Sequence, residues 1–123
     1  MEFNDSNRAI YLQIADSIAD AIVDGSLKPD SRIPSVRDYA TKVMVNVNTV
    51  MRAFEQLAAA GIIYNRRGMG FYVAEGAAEK IIAMRRSEFI DGDGLRRVFR
   101  QLQLLRVSPE ELAQMYNSYL SKQ

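Results

Sequence analysis

The stretch from Ser35 to Val73, SVRDYATKVMVNVNTVMRAFEQLAAAGIIYNRRGMGFYV, sets two short helix patterns and a hairpin pattern one after another. Ser35 can cap the free amides of a helix start, and Asp38, three residues on, completes a Ser-x-x-Asp capping box. Val36, Tyr39, Ala40 and Val43 then recur at steps of three and four, the buried stripe of a helix. Met44 and Val45 make a short turn. Asn46 is a good cap for the next helix, whose apolar face is Val50, Phe54, Leu57 and Ala58 and which Gly61 ends. Ile62 to Tyr64 and Phe71 to Val73 are β-rich runs around the basic, glycine-containing connector Asn65 to Gly70, and so predict a hairpin.

Working outward toward the amino end, Tyr11, Ile14, Ala15, Ile18, Ala21 and Ile22 fall on one face of an amphipathic helix that starts near Ala9. Gly25 follows as its C-terminal cap. Pro29-Asp-Ser31 reads as a turn, and Pro34 pushes Ile33 into an extended conformation. Helix, helix, turn, helix, hairpin is the order of a winged helix-turn-helix. The expected fold is therefore mostly α with a small β-hairpin, the winged-helix domain taking residues 1–75.

Beyond Glu75 the pattern changes. Ala77 to Ile90 and Leu95 to Leu105 read as helices broken by Asp91-Gly-Asp-Gly94, and Ser108, Pro109 and Glu111 start a last helix through a cap, a first-turn proline and a capping box. Helices this short do not form a stable domain alone. Their apolar residues Ile81, Ile82, Phe89, Val98, Phe99, Leu102, Leu105, Leu112, Met115, Tyr116 and Tyr119, with Leu120, are expected to pack against a second copy of the chain. Residues 76–123 are thus read as a helical dimerisation element.

A chain of 123 residues, 48% of them hydrophobic, closes one modest core and a small second element. With no cysteine and no histidine, disulfides, thiolate metal sites and the commonest general base are excluded. No metal or cofactor is expected. Met1 to Arg8 lacks the apolar run of a signal peptide, and no later stretch approaches the ~20 apolar residues of a membrane span. The expectation is a cytoplasmic protein with no membrane partner.

The net charge of +1 hides a division along the chain. From Ile10 to Gly25 the only charges are Asp16, Asp20 and Asp24, whereas from Lys28 to Gly70 seven cations face three acids. A basic segment beside an acidic one fits either a polyanion site or a solvated mixed surface.

B-DNA's major groove, roughly 12 Å wide, accepts one α-helix whose outer face can hydrogen-bond base edges. Thr49, Arg52 and Gln56 lie opposite Phe54 and Leu57, flanked by Asn48 and Glu55, and Asn48, Thr49, Arg52 and Gln56 meet that description. Asn46, at the helix start, lies where free amides favour a phosphate. Arg66 and Arg67 sit at or near the hairpin tip, within reach of phosphates or the minor groove. Gly68 and Gly70 serve either turn geometry or close approach to a ligand. Arg37, beside the Ser35 cap, fits either a phosphate contact or a surface ion pair.

Gly25 to Pro29, Ile33-Pro-Ser-Val-Arg-Asp-Tyr-Ala40, Val45 to Phe54, Leu57, Gly61 to Ile63 and Arg67-Gly-Met-Gly-Phe-Tyr-Val73 together resemble the DNA-binding domain of the GntR family of bacterial regulators. Asn48 to Phe54 and the short helical tail are similar to its YtrA subfamily. The resemblance implies a homodimer on a palindromic operator in double-stranded DNA, usually a repressor, often beside genes for a membrane transporter. It places a DNA-contacting arginine at Arg37, beside Ser35. The recognition pair falls on Asn48 and Thr49, and the wing glycine on Gly68 or Gly70. This chain departs from the wider family at Val47 and Met51, where arginines are usual, and at Pro29-Asp30, where the turn is usually Pro-Gly. An apolar touch of Val47 on a thymine methyl is the expected replacement for the missing base contact.

Two other function classes compete with this reading. An enzyme lacks any recognisable carboxylate pair, and Asp91-Gly-Asp93-Gly lacks the remaining ligands of a calcium loop, so no catalysis is expected. A winged helix used as a protein-interaction module without DNA binding is the alternative. Three short helices leave little room for the ~300 Å³ of a usual ligand site, so a small-molecule effector would have no dedicated domain.

Overall fold

Apolar residues three and four apart bury one side of the first helix, α1 (Ile10–Val23), in this computed structural model, which describes residues 8–123. The reading of a missing signal peptide at the amino end falls largely on residues 1–7, outside the described residues. Helix α2 (Val36–Val43) and helix α3 (Val47–Ala59) follow, then the antiparallel strands β1 (Ile63–Arg66) and β2 (Gly70–Val73). Ile63 pairs with Val73 and Arg66 with Gly70, which leaves a three-residue loop. Helix α4 (Ala77–Arg86), a single π-helical turn at Ser87–Asp91, α5 (Asp93–Leu104) and α6 (Pro109–Ser121) complete the chain.

The caps explain the boundaries. Ser35 Oγ accepts from the Asp38 amide at 3.1 Å and Ser108 Oγ from the Glu111 amide at 3.1 Å, each satisfying one free helix-start N–H. Asn46 Oδ1 accepts from the Asn48 amide at 2.7 Å. Between α2 and α3 the chain turns at Met44, whose φ of 58° is left-handed, and Gly25 and Gly61 take the same hand after α1 and α3.

The chain divides into two compact units between Ala83 and Met84. The first holds the whole core: Ile14, Ile18 and Ile22 of α1, Val36 and Tyr39 of α2, Val50, Phe54 and Leu57 of α3, with Ile33, Ile63 and Val73. Phe54 sits at its centre. Its ring meets Phe71 edge-on with centroids 5.3 Å apart and Tyr39 at 6.0 Å, the arrangement aromatic quadrupoles favour. Burial pushes the Tyr39 phenol above its ordinary pKa while a hydrogen bond to Ser17 pulls the other way. It therefore stays neutral in the folded chain.

Two sequence expectations need correction here. Ile81 was placed on the dimer surface, but it is buried with Ala77 in the first unit's core. Helical spacing puts an apolar residue on a face without saying what that face meets. The break expected at Asp91-Gly-Asp-Gly94 is present but shorter: helical turns reach Asp91, Gly92 alone is extended, and Asp93 and Gly94 already belong to α5. A side chain at Gly94 would meet the Phe89 ring, so the glycine serves close packing.

No residue after Ile81 is buried. Within the second unit Phe89, Val98, Phe99, Leu105, Met115, Tyr116, Tyr119 and Leu120 are exposed, and Leu102 and Leu112 are half-buried. Ile82, beside the boundary, is exposed as well.

Candidate nucleic-acid interface

Helix α3 turns Val50, Ala53, Phe54 and Leu57 inward, and the same periodicity presents Asn48, Arg52 and Gln56 to solvent. Thr49 is half-buried on the flank. Arg37 projects from the first turn of α2 and is exposed, with no ion-pair partner among the described residues. Ser35 and Asn46, expected as DNA contacts, each have a side-chain oxygen engaged as a cap, and their O–H and N–H groups are the donors they can offer a phosphate. Ser35→Ala is expected to lower stability by about 1 kcal/mol in urea denaturation. If the stability were unchanged, the cap would not be contributing.

Arg52 has a partner that sequence spacing did not reveal. Its guanidinium carbon lies 4.0 Å from the centroid of the Tyr11 ring on α1, a cation–π contact that holds the side chain against the neighbouring helix. Tyr11, on the apolar face of α1, is only partly buried against the core.

The hairpin carries a second such arrangement. Tyr64 and Tyr72 stack across the strands with centroids 5.9 Å apart, and the Arg66 guanidinium lies 4.6 Å from the Tyr72 ring centroid. Arg66 thus ends β1 on an aromatic platform, while Arg67 lies in the loop itself and is exposed. The loop closes through the Met69 amide donating to the Arg66 carbonyl at 2.8 Å, with Gly68 at a φ of +78°.

The two wing glycines differ. Nothing lies within 4 Å of a side chain built at Gly68, so its backbone faces open space. At Gly70, with φ +102°, a Cβ would come 3.1 Å from Arg32 Nε. Arg32 covers that glycine, so Gly68 is the one whose backbone is free for close approach.

Arg32 is the cation that sequence reasoning counted but did not place. Asp30 to Ile33 runs along the outer edge of β2: the Asp30 amide donates to Val73 O at 2.8 Å, Val73 to Ser31 O at 3.0 Å and Ile33 to Phe71 O at 3.0 Å. Pro34, just beyond, lacks an amide to continue the ladder. Asp30 takes a left-handed φ of 60° and its carboxylate accepts from the Tyr64 hydroxyl at 3.2 Å. Four arginines, Arg32, Arg37, Arg66 and Arg67, therefore lie exposed in the same unit as the polar face of α3.

Residues 10–73 match the family described as "Bacterial regulatory proteins, gntR family". The chain belongs to the GntR family. The HTH-type transcriptional repressor YtrA of Bacillus subtilis is 38% identical over 77 residues, 63% of this chain and 59% of YtrA. A GntR-family protein from Bacteroides thetaiotaomicron has a solved structure 45% identical to this chain, with a TM-score of 0.72 over 93% of this chain and 98% of that one. The DNA-binding domain of AraR, solved in complex with operator, is 25% identical, with a TM-score of 0.55 over 60% of this chain and 93% of that domain. The matched stretch spans about 60% of the length of curated relatives such as YtrA. GntR winged-helix domains thus supply the fold, and the YtrA likeness extends to both sequence and solved structures. Asp30 stands where the usual GntR turn has glycine, and its left-handed backbone reproduces the conformation glycine takes most easily.

Among the described residues no cluster of His, Cys, Asp or Glu is arranged to hold a metal ion, and no helix is long and apolar enough to cross a membrane.

Proposed function

We propose that this GntR-family chain is a transcriptional repressor that binds a palindromic operator as a homodimer, in the cytoplasm and without catalysis. The DNA-binding domain, read from the sequence as ending at residue 75, takes in α4 as far as Ala83, and the dimerisation element is the unit that follows it, residues 84–123. The carrying observation is the exposed polar face of α3 in one unit with an arginine-bearing wing. Such a helix supplies base-edge donors and acceptors, and the arginines supply phosphate contacts that set its register. YtrA's description as a repressor and AraR's complex with operator support the reading.

The dimer rests on the second unit. With Phe99, Tyr116 and Tyr119 more than half exposed and no residue beyond Ile81 buried, these helices have no core of their own. A second copy would cover the apolar faces and place two α3 helices in successive major grooves roughly 34 Å apart. Sedimentation at operator-binding concentrations should give a dimer; a monomer would contradict this assembly. These helices are assigned to dimer contact and not to holding a small-molecule effector; tight metabolite binding to the purified dimer in calorimetry would overturn that assignment.

The two contact types are separable. Arg66→Ala should weaken binding to all duplexes similarly and reduce the salt slope by about one per lost phosphate contact, whereas Asn48→Ala should reduce discrimination between sequences. A change of preferred base in Arg66→Ala would contradict the wing assignment. Absence of any salt-dependent DNA affinity would favour the winged helix as a protein-interaction module.

A further inference from the structure

The outer side of α3 carries a row that hydrogen bonding cannot use. Val47 and Met51, one helical turn apart, leave 38% and 37% of their surfaces open, although neither side chain has a donor or a strong acceptor. They flank Asn48, whose amide is suited to the N6 and N7 edge of adenine. One turn beyond Met51 the same row ends in exposed Glu55, an anion that phosphates repel. The row is therefore apolar at the amino-terminal half of α3, where the Asn46 cap and the free amides also lie.

Among the groups that base pairs present in the major groove, the apolar one is the C5-methyl of thymine. A donor or acceptor on a base facing Val47 or Met51 would lose water and gain no partner. A methyl there gains contact and sheds water.

Resting on the operator reading above, we propose that Val47 and Met51 form an apolar reader for thymine methyl groups beside an adenine bound by Asn48. Specificity in each half-site then comes from A·T pairs, read by one amide and by methyl contact. Arginine reading of guanine plays no part on this row.

The probe is a duplex selected by the protein from a random pool, then resynthesised with each thymine in turn replaced by deoxyuridine. That change removes one methyl and keeps every Watson–Crick hydrogen bond. At one or two thymines per half-site the affinity should fall about fourfold, the transfer worth of one buried methyl-sized group. In Val47→Ala and Met51→Ala, both exposed positions with good helix formers introduced, the uridine and thymine duplexes should bind alike at those sites. A flat uridine scan on a duplex that binds tightly and selectively would overturn the methyl reader and leave operator binding standing. So would a thymine effect unchanged in both variants, or a selected site without thymine. If no duplex is enriched at all, the operator reading itself fails.

Discussion

Phe54→Ala is expected to cost about 3–5 kcal/mol of stability, a large share of the about 5–15 kcal/mol that is the whole margin of a small domain. Phe54 is fully buried and its ring is the one shared by Tyr39 of α2 and Phe71 of β2. Removing it opens a cavity between α2, α3 and the hairpin and leaves two aromatic edges without their partner. Urea denaturation followed by circular dichroism should show the loss as a lower midpoint. A cost under about 1 kcal/mol would mean that the core collapses around the gap and that Phe54 does not organise it. Because α3 carries the polar face, the variant should also lose DNA affinity in proportion to the unfolded fraction.

The triple variant Arg37→Ala, Arg66→Ala, Arg67→Ala is expected to abolish operator binding at physiological salt while leaving the fold intact. All three side chains are exposed and lie outside the core cluster, so their loss leaves its packing unchanged. Three phosphate contacts per protomer are six per dimer. At about 0.9 per contact the slope of log affinity against log salt should fall by about five, which at 0.15 M corresponds to about a ten-thousand-fold loss. Binding titrations from 50 to 300 mM salt measure both quantities. An unchanged slope would show that these arginines face solvent in the complex.

The winged helix was legible in the sequence because its signals are local. Ser35, Asn46 and Ser108 act within three residues of themselves, and the apolar spacing of α1 to α3 follows directly from 3.6 residues per turn. What escaped were contacts between residues far apart in the chain. Tyr11 and Arg52 meet because α1 packs on α3, and Arg32 covers Gly70 because Asp30 to Ile33 lies against β2. Neither pairing leaves a periodic trace. Ile81 failed for a related reason: its apolar spacing is equally consistent with a core or a dimer seam, and only the fold shows it against the first unit's core. The break expected at Asp91 to Gly94 narrows to Gly92, and the helix read as running to Ile90 closes on a π turn at Ser87–Asp91, a change of winding that apolar spacing does not report.

The functional site divides along the same line. The residue types on α3 and the wing arginines were readable, but their preparation was not. Arg52 rests on Tyr11 and Arg66 on Tyr72 within the chain itself, and under the proposed operator reading this ordering would lower the entropy lost on binding. Gly68 and Gly70, equivalent in sequence, separate into one open backbone and one covered by an arginine.

The central claim is that two copies of this chain read a symmetric site through α3. Selection of bound duplexes from a random pool by the purified protein, followed by sequencing, tests it most directly. The account predicts an enriched palindrome whose half-site centres are one helical turn or a multiple apart, about 10–10.5 base pairs per turn, with A·T pairs in each half. Enrichment of a single unsymmetrical site, or of no site, would contradict it.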